Sequence, residues 1–217
     1  MTLHIEPSLI ALACAALADG PSELHGIAPT PALTAMTDAL SELEVSVTTA
    51  GNCIRVGGTG GRVPASSARL NLVDQSAVLL TLVGVLANSL GQYTLDGPAE
   101  LDVSPLTDPL RDLGAVIGFE GADGRPPVNL AGPYPLRGGS VRLGANGLAV
   151  LGPLLVALPL AVDDAFVTLP TDAATLVPPA AEALRIIAAF GVEVLIEGRR
   201  LIVPAPQRYL GRELAFV

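Results

Sequence analysis

The chain contains no lysine. All twelve of its basic residues, among 217, are arginine. That excludes any mechanism built on a Schiff base or a lysine ammonium. Tryptophan is absent and aromatics make up 3%, so there is no stacking platform for bases or sugars. Only 15% of residues are charged while 50% are apolar, which excludes a disordered chain. The net charge of −9 argues against nucleic acid and against anionic membrane surfaces as partners. Two cysteines, Cys14 and Cys53, and two histidines, His4 and His25, provide no zinc spacing. Neither a metal nor any other cofactor is expected. Each cysteine sits in an apolar run, which predicts buried free thiols in a reducing, cytoplasmic setting. The opening stretch MTLHIEPSLIALACAALADG has no basic flank, so a signal peptide is a poor reading. The longest uncharged apolar run, Gly147 to Val162, contains Pro153 and Pro159 and is shorter than the roughly 20 residues of a membrane span. It is expected to be a core helix.

What the chain does have is a phrase used three times. SLIALACAALADGPSELHGI begins at Ser8, SAVLLTLVGVLANSLGQYTLDG at Ser76 and AVLGPLLVALPLAVDDAFVTLP at Ala149. Each reads as a nearly all-apolar helix, a polar turn and a short alternating strand. A helix that is apolar on every side must be buried all round. A second phrase follows each: TDALSELEVSVTTAGNCIRVGG from Thr37, DPLRDLGAVIGFEGADGRPPVNLAG from Asp108 and EALRIIAAFGVEVLIEGRRLIVPA from Glu182. These read as an amphipathic helix, a turn and two strands. Pro178 and Pro179 suit the first turn of the last amphipathic helix. Leu17, Leu86 and Leu160 recur about seventy residues apart. RLNLV at Arg69 and SVRLG at Ser140 precede two of the buried helices, and TLHIE is the candidate for the first.

The expected fold class is α/β: three βαβαββ units, about 1–61, 62–133 and 134–217, in one domain around buried parallel helices. GGTGGR (Gly57 to Arg62) and LAGPYPLRGGS (Leu130 to Ser140) are read as the joints.

With these phrases in view the chain resembles one globular half of an enolpyruvyl transferase, nearest to 5-enolpyruvylshikimate-3-phosphate (EPSP) synthase. ALACAALADG, LDGP, SPLTDPLRDLGAVI, LRGGSVRLG, LLVALPLAVDDAFVTLP and EALRIIAAFGVEV carry the likeness. The resemblance implies an inside-out α/β barrel half. These are scaffold motifs; the chemistry motifs differ. The family has a Lys and an Arg ahead of the first buried helix, and here Ile5 and Ile10 stand about there. Its Gly-Asn-Ala-Gly-Thr turn becomes Val73, Asp74, Gln75, Ser76 and Ala77, with Leu80 near the following Arg. Its Arg-rich loop becomes PAELDVSP, bringing Glu100 and Asp102. Its Ser-Ser-Gln falls near Gly147, Leu148 and Ala149, and its Lys-Pro-Tyr on Val177, Pro178 and Pro179. Binding two phosphorylated or carboxylated substrates needs desolvated cations, and each lost bidentate Arg costs about 2–5 kcal/mol. The resemblance also implies a second globular half closing over the substrates. Ordinary enolpyruvyl transfer is therefore not expected from these residues alone.

The polar candidates cluster at helix starts. Asp74, Gln75 and Ser76 open the second buried helix, and Asn146, in GANGL, opens the third. Asp74, Ser76 and Asn146 read as N-caps, or alternatively as hydrogen-bonding groups for a neutral ligand. Arg69 and Arg142, on the strands just before those mouths, read as solvated charges or as a residual anion site. Asp96, Glu100, Asp102, Asp108 and Asp112 lack calcium-loop spacing and read as a solvated run. GGTGGR reads as a flexible joint rather than a phosphate cradle. His25 lies on a short strand without a paired Asp or Cys pattern, so no catalytic role is assigned to it. No catalytic residue emerges.

Two functions fit. One is a diverged EPSP synthase-like domain for a neutral or weakly anionic small molecule, either a ligand-binding protein or a subunit of a split or oligomeric transferase-like enzyme, its partner half a second copy or another chain. The other is a non-catalytic assembly or regulatory protein, in which the high apolar content serves a homodimer or another protein contact.

Overall fold

The structure is a computed structural model that describes residues 5–132, 135–176 and 178–216. It is a mixed α/β fold with helices inside and sheets outside. The inner helices are α1 (Pro7–Leu17), α3 (Ser76–Leu86) and α5 (Leu151–Ala157), with α2 (Pro31–Glu42), α4 (Ser104–Asp112) and α6 (Ala180–Ala189) outside them. From Ser8 to Leu17, from Val78 to Leu86 and from Leu151 to Ala157 every residue is buried. A helix with no polar face can satisfy itself only against other apolar helices. Accordingly α1, α3 and α5 pack on one another, and the outer helices pack around them.

Small residues set the spacing. A Cβ on Gly84 of α3 would collide with the Pro153 carbonyl of α5, and one on Gly152 would sit 2.9 Å from Ile10 Cδ1 of α1. The buried Thr81 hydroxyl donates to the Ala77 carbonyl at 2.8 Å, so its burial leaves nothing unpaired.

Among the described residues twelve strands form three four-stranded sheets. The first joins β1 (Ser22–His25), β2 (Val47–Ala50), β3 (Cys53–Val56) and β12 (Glu213–Ala215) in the order β12-β1-β3-β2. The second holds β4 (Ser67–Asn71), β5 (Gln92–Asp96), β6 (Ile117–Phe119) and β7 (Val128–Ala131) in the order β4-β5-β7-β6. The third holds β8 (Gly139–Arg142), β9 (Ala165–Thr168), β10 (Leu195–Glu197) and β11 (Arg200–Val203) in the order β10-β11-β9-β8. Each contains one parallel pair (β1·β12, β4·β5, β8·β9) and otherwise antiparallel pairs.

Several sequence expectations need correcting. The strand parallel to β1 is β12, from the far end of the chain. Of TLHIE, residues 1–4 lie outside the described residues, and Ile5 and Glu6 are not strand. The third inner helix is not continuous: a 3-10 stretch over Ala145–Val150 leads into α5, and another follows at Leu158–Leu160. Pro178 and Pro179 precede α6 rather than forming its first turn, and Pro179 stands at the N-cap. Cys14 is buried, but Cys53 is only half-buried. GGTGGR is no loose joint. Thr59 donates to the Ala16 carbonyl through both its hydroxyl (2.7 Å) and its N–H (3.0 Å), and Gly60 N–H donates to the Ala18 carbonyl. It thus closes the C-terminal end of α1, the negative end of the helix dipole, which repels phosphate. In the other joint, Pro133 and Tyr134 lie outside the described residues.

The C-terminal end of α5 has its own closure. Pro159 has no N–H to donate back to the Leu155 carbonyl. The Tyr209 hydroxyl takes its place, 3.3 Å from the Leu155 carbonyl and 2.9 Å from that of Val156. Asn88, at the end of α3, donates to the Ala157 carbonyl at 2.8 Å and accepts from Leu136 N–H at 2.9 Å. Gln207 N–H reaches the Pro159 carbonyl, and Asp19 N–H reaches that of Tyr209, so the tail ties the end of the third inner helix to the end of the first. Burial pushes the Tyr209 hydroxyl and the Cys14 thiol well up from their ordinary values, so both stay protonated.

Tyr209→Phe leaves the ring in place and removes the only hydroxyl. We expect it to lower unfolding stability by about 1–3 kcal/mol in urea with an unchanged m-value. An unchanged midpoint would contradict the closing role of Tyr209.

Candidate functional site

The helix starts converge on one face. Ile5, just before α1, and Ile10 within it, Leu148, Ala149, Gly152 and Pro153 of the third inner helix, and Pro179, Ala180 and Ala183 at the start of α6 line a single small apolar depression. The start of α2 joins the start of α1, since Glu6 Oε2 accepts from the hydroxyl of Thr30 (3.3 Å), the α2 N-cap. α3 runs in the same sense, because Gly84 meets Pro153 and Asn88 meets Ala157.

The sequence candidates lie at or near these mouths, but not as caps. The residue capping α3 is Gln75, and its side chain makes no capping hydrogen bond. Asp74 stands outside the helix and Ser76 begins it. Asp74 is exposed, whereas Gln75 and Ser76 are half-buried. Asn146 lies inside the 3-10 stretch, exposed, with Gly144 at the cap position and no side-chain cap. Glu6, at the start of α1, likewise caps nothing. All three inner mouths therefore lack side-chain caps and first-turn acidic residues, whereas α2 has its first turn closed by Thr30 Oγ1, accepting from Leu33 N–H at 3.1 Å. Val73, half exposed at the α3 mouth, adds apolar surface.

The two strand arginines stand apart, on separate sheets. Strand alternation puts Leu70 and Val141 in the core and turns Arg69 and Arg142 to solvent. The Arg69 guanidinium is already engaged. It bonds Asp96 at 2.7 and 2.9 Å and Glu120 at 3.0 and 3.1 Å. Those bonds, to Asp96 first, raise its pKa above the usual arginine value. Among the described residues Arg142 has no ion-pair partner.

The acidic run is distributed among structural tasks. Asp96 holds Arg69, Asp102 accepts from Ser104 N–H at the start of α4, and Asp108 pairs with Arg111 at 3.7 Å. Among the described residues the run gathers into no metal-ligand group. Sequence reasoning did not anticipate that Ile5, Ile10, Leu148, Ala149 and Pro179, all read there as replacements for polar or cationic motif positions, share one depression. Val177 falls outside the described residues, and Leu80 is buried within α3. No helix among the described residues is long and apolar enough to cross a membrane.

The family model described as EPSP synthase (3-phosphoshikimate 1-carboxyvinyltransferase) matches residues 6–215. The 3-phosphoshikimate 1-carboxyvinyltransferase of Ralstonia pickettii (strain 12J) is 35% identical over 193 residues, covering 86% of this chain and 44% of that protein. Its counterpart in Cellvibrio japonicus (strain Ueda107) is 32% identical over 212 residues, covering 95% and 49%. An EPSP synthase structure from Acinetobacter baumannii superposes with a TM-score of 0.78 at 24% identity, covering 99% of this chain and 48% of that one; this is a likeness of fold. The chain spans about half the length of the curated relatives it matches.

We expect Arg69→Gln to lower the melting temperature of the protein most at low ionic strength, with the difference shrinking as salt is raised, because the exposed pairs to Asp96 and Glu120 are screened. A salt-independent difference would show that Arg69 acts through packing instead.

Proposed function

Because the chain belongs to the EPSP synthase family, we propose that it is an EPSP synthase-like domain whose helix-mouth face takes a neutral or weakly anionic small molecule rather than the family's strongly anionic substrates. It works with a complementary half, whether a second copy or another stretch of protein. One observation carries the reading: the inner helices start without side-chain caps, and the starts of the first and third line an apolar depression together with that of α6. Open N–H groups bind hydrogen-bond acceptors and tolerate a partial negative charge. Among the described residues the depression is lined by no cation, and apolar Ile5, Ile10, Leu148 and Ala149 stand where the resemblance places polar and cationic motifs. Asp74, Gln75, Ser76 and Asn146 are the side chains assigned to the ligand, with Arg142, on the strand before the third mouth, as a cation free of ion pairs among the described residues. Arg69 acts as a clamp on its sheet. Three units of about 1–61, 62–133 and 134–217 make up one domain in this reading. The equal strand order of the three sheets supports it, with β12 lent by the third unit to the first.

A second reading is a non-catalytic assembly or regulatory role in which the same face docks a protein, as a homodimer or with a half-domain partner. Val73, exposed just ahead of α3, favours it.

Thermal unfolding against phosphoenolpyruvate, shikimate 3-phosphate, neutral cyclitols and inorganic phosphate separates the readings. A ligand at 100 times its dissociation constant adds about 2.7 kcal/mol, a shift of several degrees. The expected result is a shift with a neutral cyclitol that Gln75→Ala diminishes. A shift with shikimate 3-phosphate would overturn the proposed selectivity, and no shift with any of them would favour the assembly reading.

A further inference from the structure

The outer surface of the first sheet gathers residues that are far apart in sequence. Glu23 and His25, two apart on β1, point to the same side. Glu23 sits in register with Glu213 on β12, and His25 with Cys53 on β3. The ligand atoms of Glu23, His25 and Cys53 all lie within 4.8 Å of one another. His25 Nε2 is 3.6 Å from Glu23 Oε2 and 3.4 Å from Glu213 Oε1. That nitrogen is itself buried and has no hydrogen-bond partner. An orphaned imidazole nitrogen facing two carboxylate oxygens, with a thiol in the same cluster of ligand atoms, is a place for a cation.

The separations suit a metal. Zinc bonds of about 2.0–2.2 Å to nitrogen and oxygen, at tetrahedral angles, put the ligand atoms about 3.4 Å apart. Cys53 Sγ needs a shift of about 1 Å to join them, within the reach of one side-chain torsion. Nitrogen, sulfur and two oxygens form the mixed donor set of a borderline ion. Charge also balances. A neutral imidazole, a thiolate and two carboxylates leave one negative charge after a divalent ion is bound, and Arg55 supplies the compensating positive charge. Its Nε lies 3.0 Å from Glu23 Oε1, which leaves Oε2 turned toward His25.

We propose that Glu23, His25, Cys53 and Glu213 bind one zinc-class divalent cation, which pins the C-terminal strand β12 to β1 and β3. The thiol loses its proton to solvent as the sulfur–metal bond forms, so affinity rises with pH. β12 is three residues long and an edge strand, so a cross-strand metal tie fastens the one element of the first sheet supplied from the other end of the chain. The site lies on a sheet surface rather than among the helix mouths and does not depend on the ligand reading above.

The test uses the tag-free protein, treated with chelator and then titrated with Zn²⁺ and with Co²⁺ as a spectroscopic probe. We expect one ion per chain, a higher melting temperature, and a thiolate-to-cobalt charge-transfer absorption. Cys53→Ser should abolish that absorption and weaken zinc binding at least about 10-fold, and Glu213→Gln, at an exposed position, should weaken it by a similar factor. Cys14→Ser, in the core, should leave the absorption in place. Absence of stoichiometric zinc binding, or a charge-transfer band that survives Cys53→Ser, would overturn the site, as would zinc affinity unchanged in both ligand variants.

Discussion

Three helices with no polar face dictate the rest of this molecule. α1, α3 and α5 cannot lie against water on any side, so each uses the other two and the outer helices as its solvent. Close approach then requires glycine where backbones meet, as at Gly84 and Gly152. With helices occupying the centre, the sheets are left outside, each with one face on the helices and one toward water. That is why strands such as β1, β5, β7 and β9 alternate buried and more exposed residues, and why Arg69, Thr94, Asp96 and Asn129 share one outer surface.

The two ends of the inner helices are treated in opposite ways. At the C-terminal ends of α1 and α5, carbonyls are closed by Thr59, Asn88 and Tyr209. At the N-terminal ends no side chain closes the inner mouths. Closing every end would favour stability alone, since an uncapped helix start forgoes about 1 kcal/mol. Leaving the inner starts open, two of them beside an apolar depression that the uncapped start of α6 also lines, is what supports a binding role for that face in the reading proposed.

Much of the fold was legible because periodicity reports burial directly. The all-apolar phrases at Ser8 and Ser76 became α1 and α3, and the amphipathic phrases became outer helices. The third inner helix was legible as buried but not as broken, because whether Pro153 and Pro159 interrupt a helix depends on donors arriving from elsewhere, here Tyr209 and Asn88. The place of β12 beside β1 was hidden for a similar reason: a three-residue strand carries almost no periodic signal, and its partner is at the other end of the chain. At the candidate site, the sequence located the mouths correctly through Gln75 and Asn146 but misassigned the caps, since an N-cap depends on where the first helical residue falls. It weighed His25 and Cys53 separately and passed over Glu23 and Glu213, because only sheet register brings the four together.

The dependence of the whole on one shared helical core is most directly tested by native-state hydrogen exchange across denaturant. The account predicts that the protected amides of α1, α3 and α5 share a single, highest opening free energy and merge into one global unfolding event. Three separate opening free energies, one for each inner helix with its own sheet, would contradict it and would mean that the units are stable independently of one another.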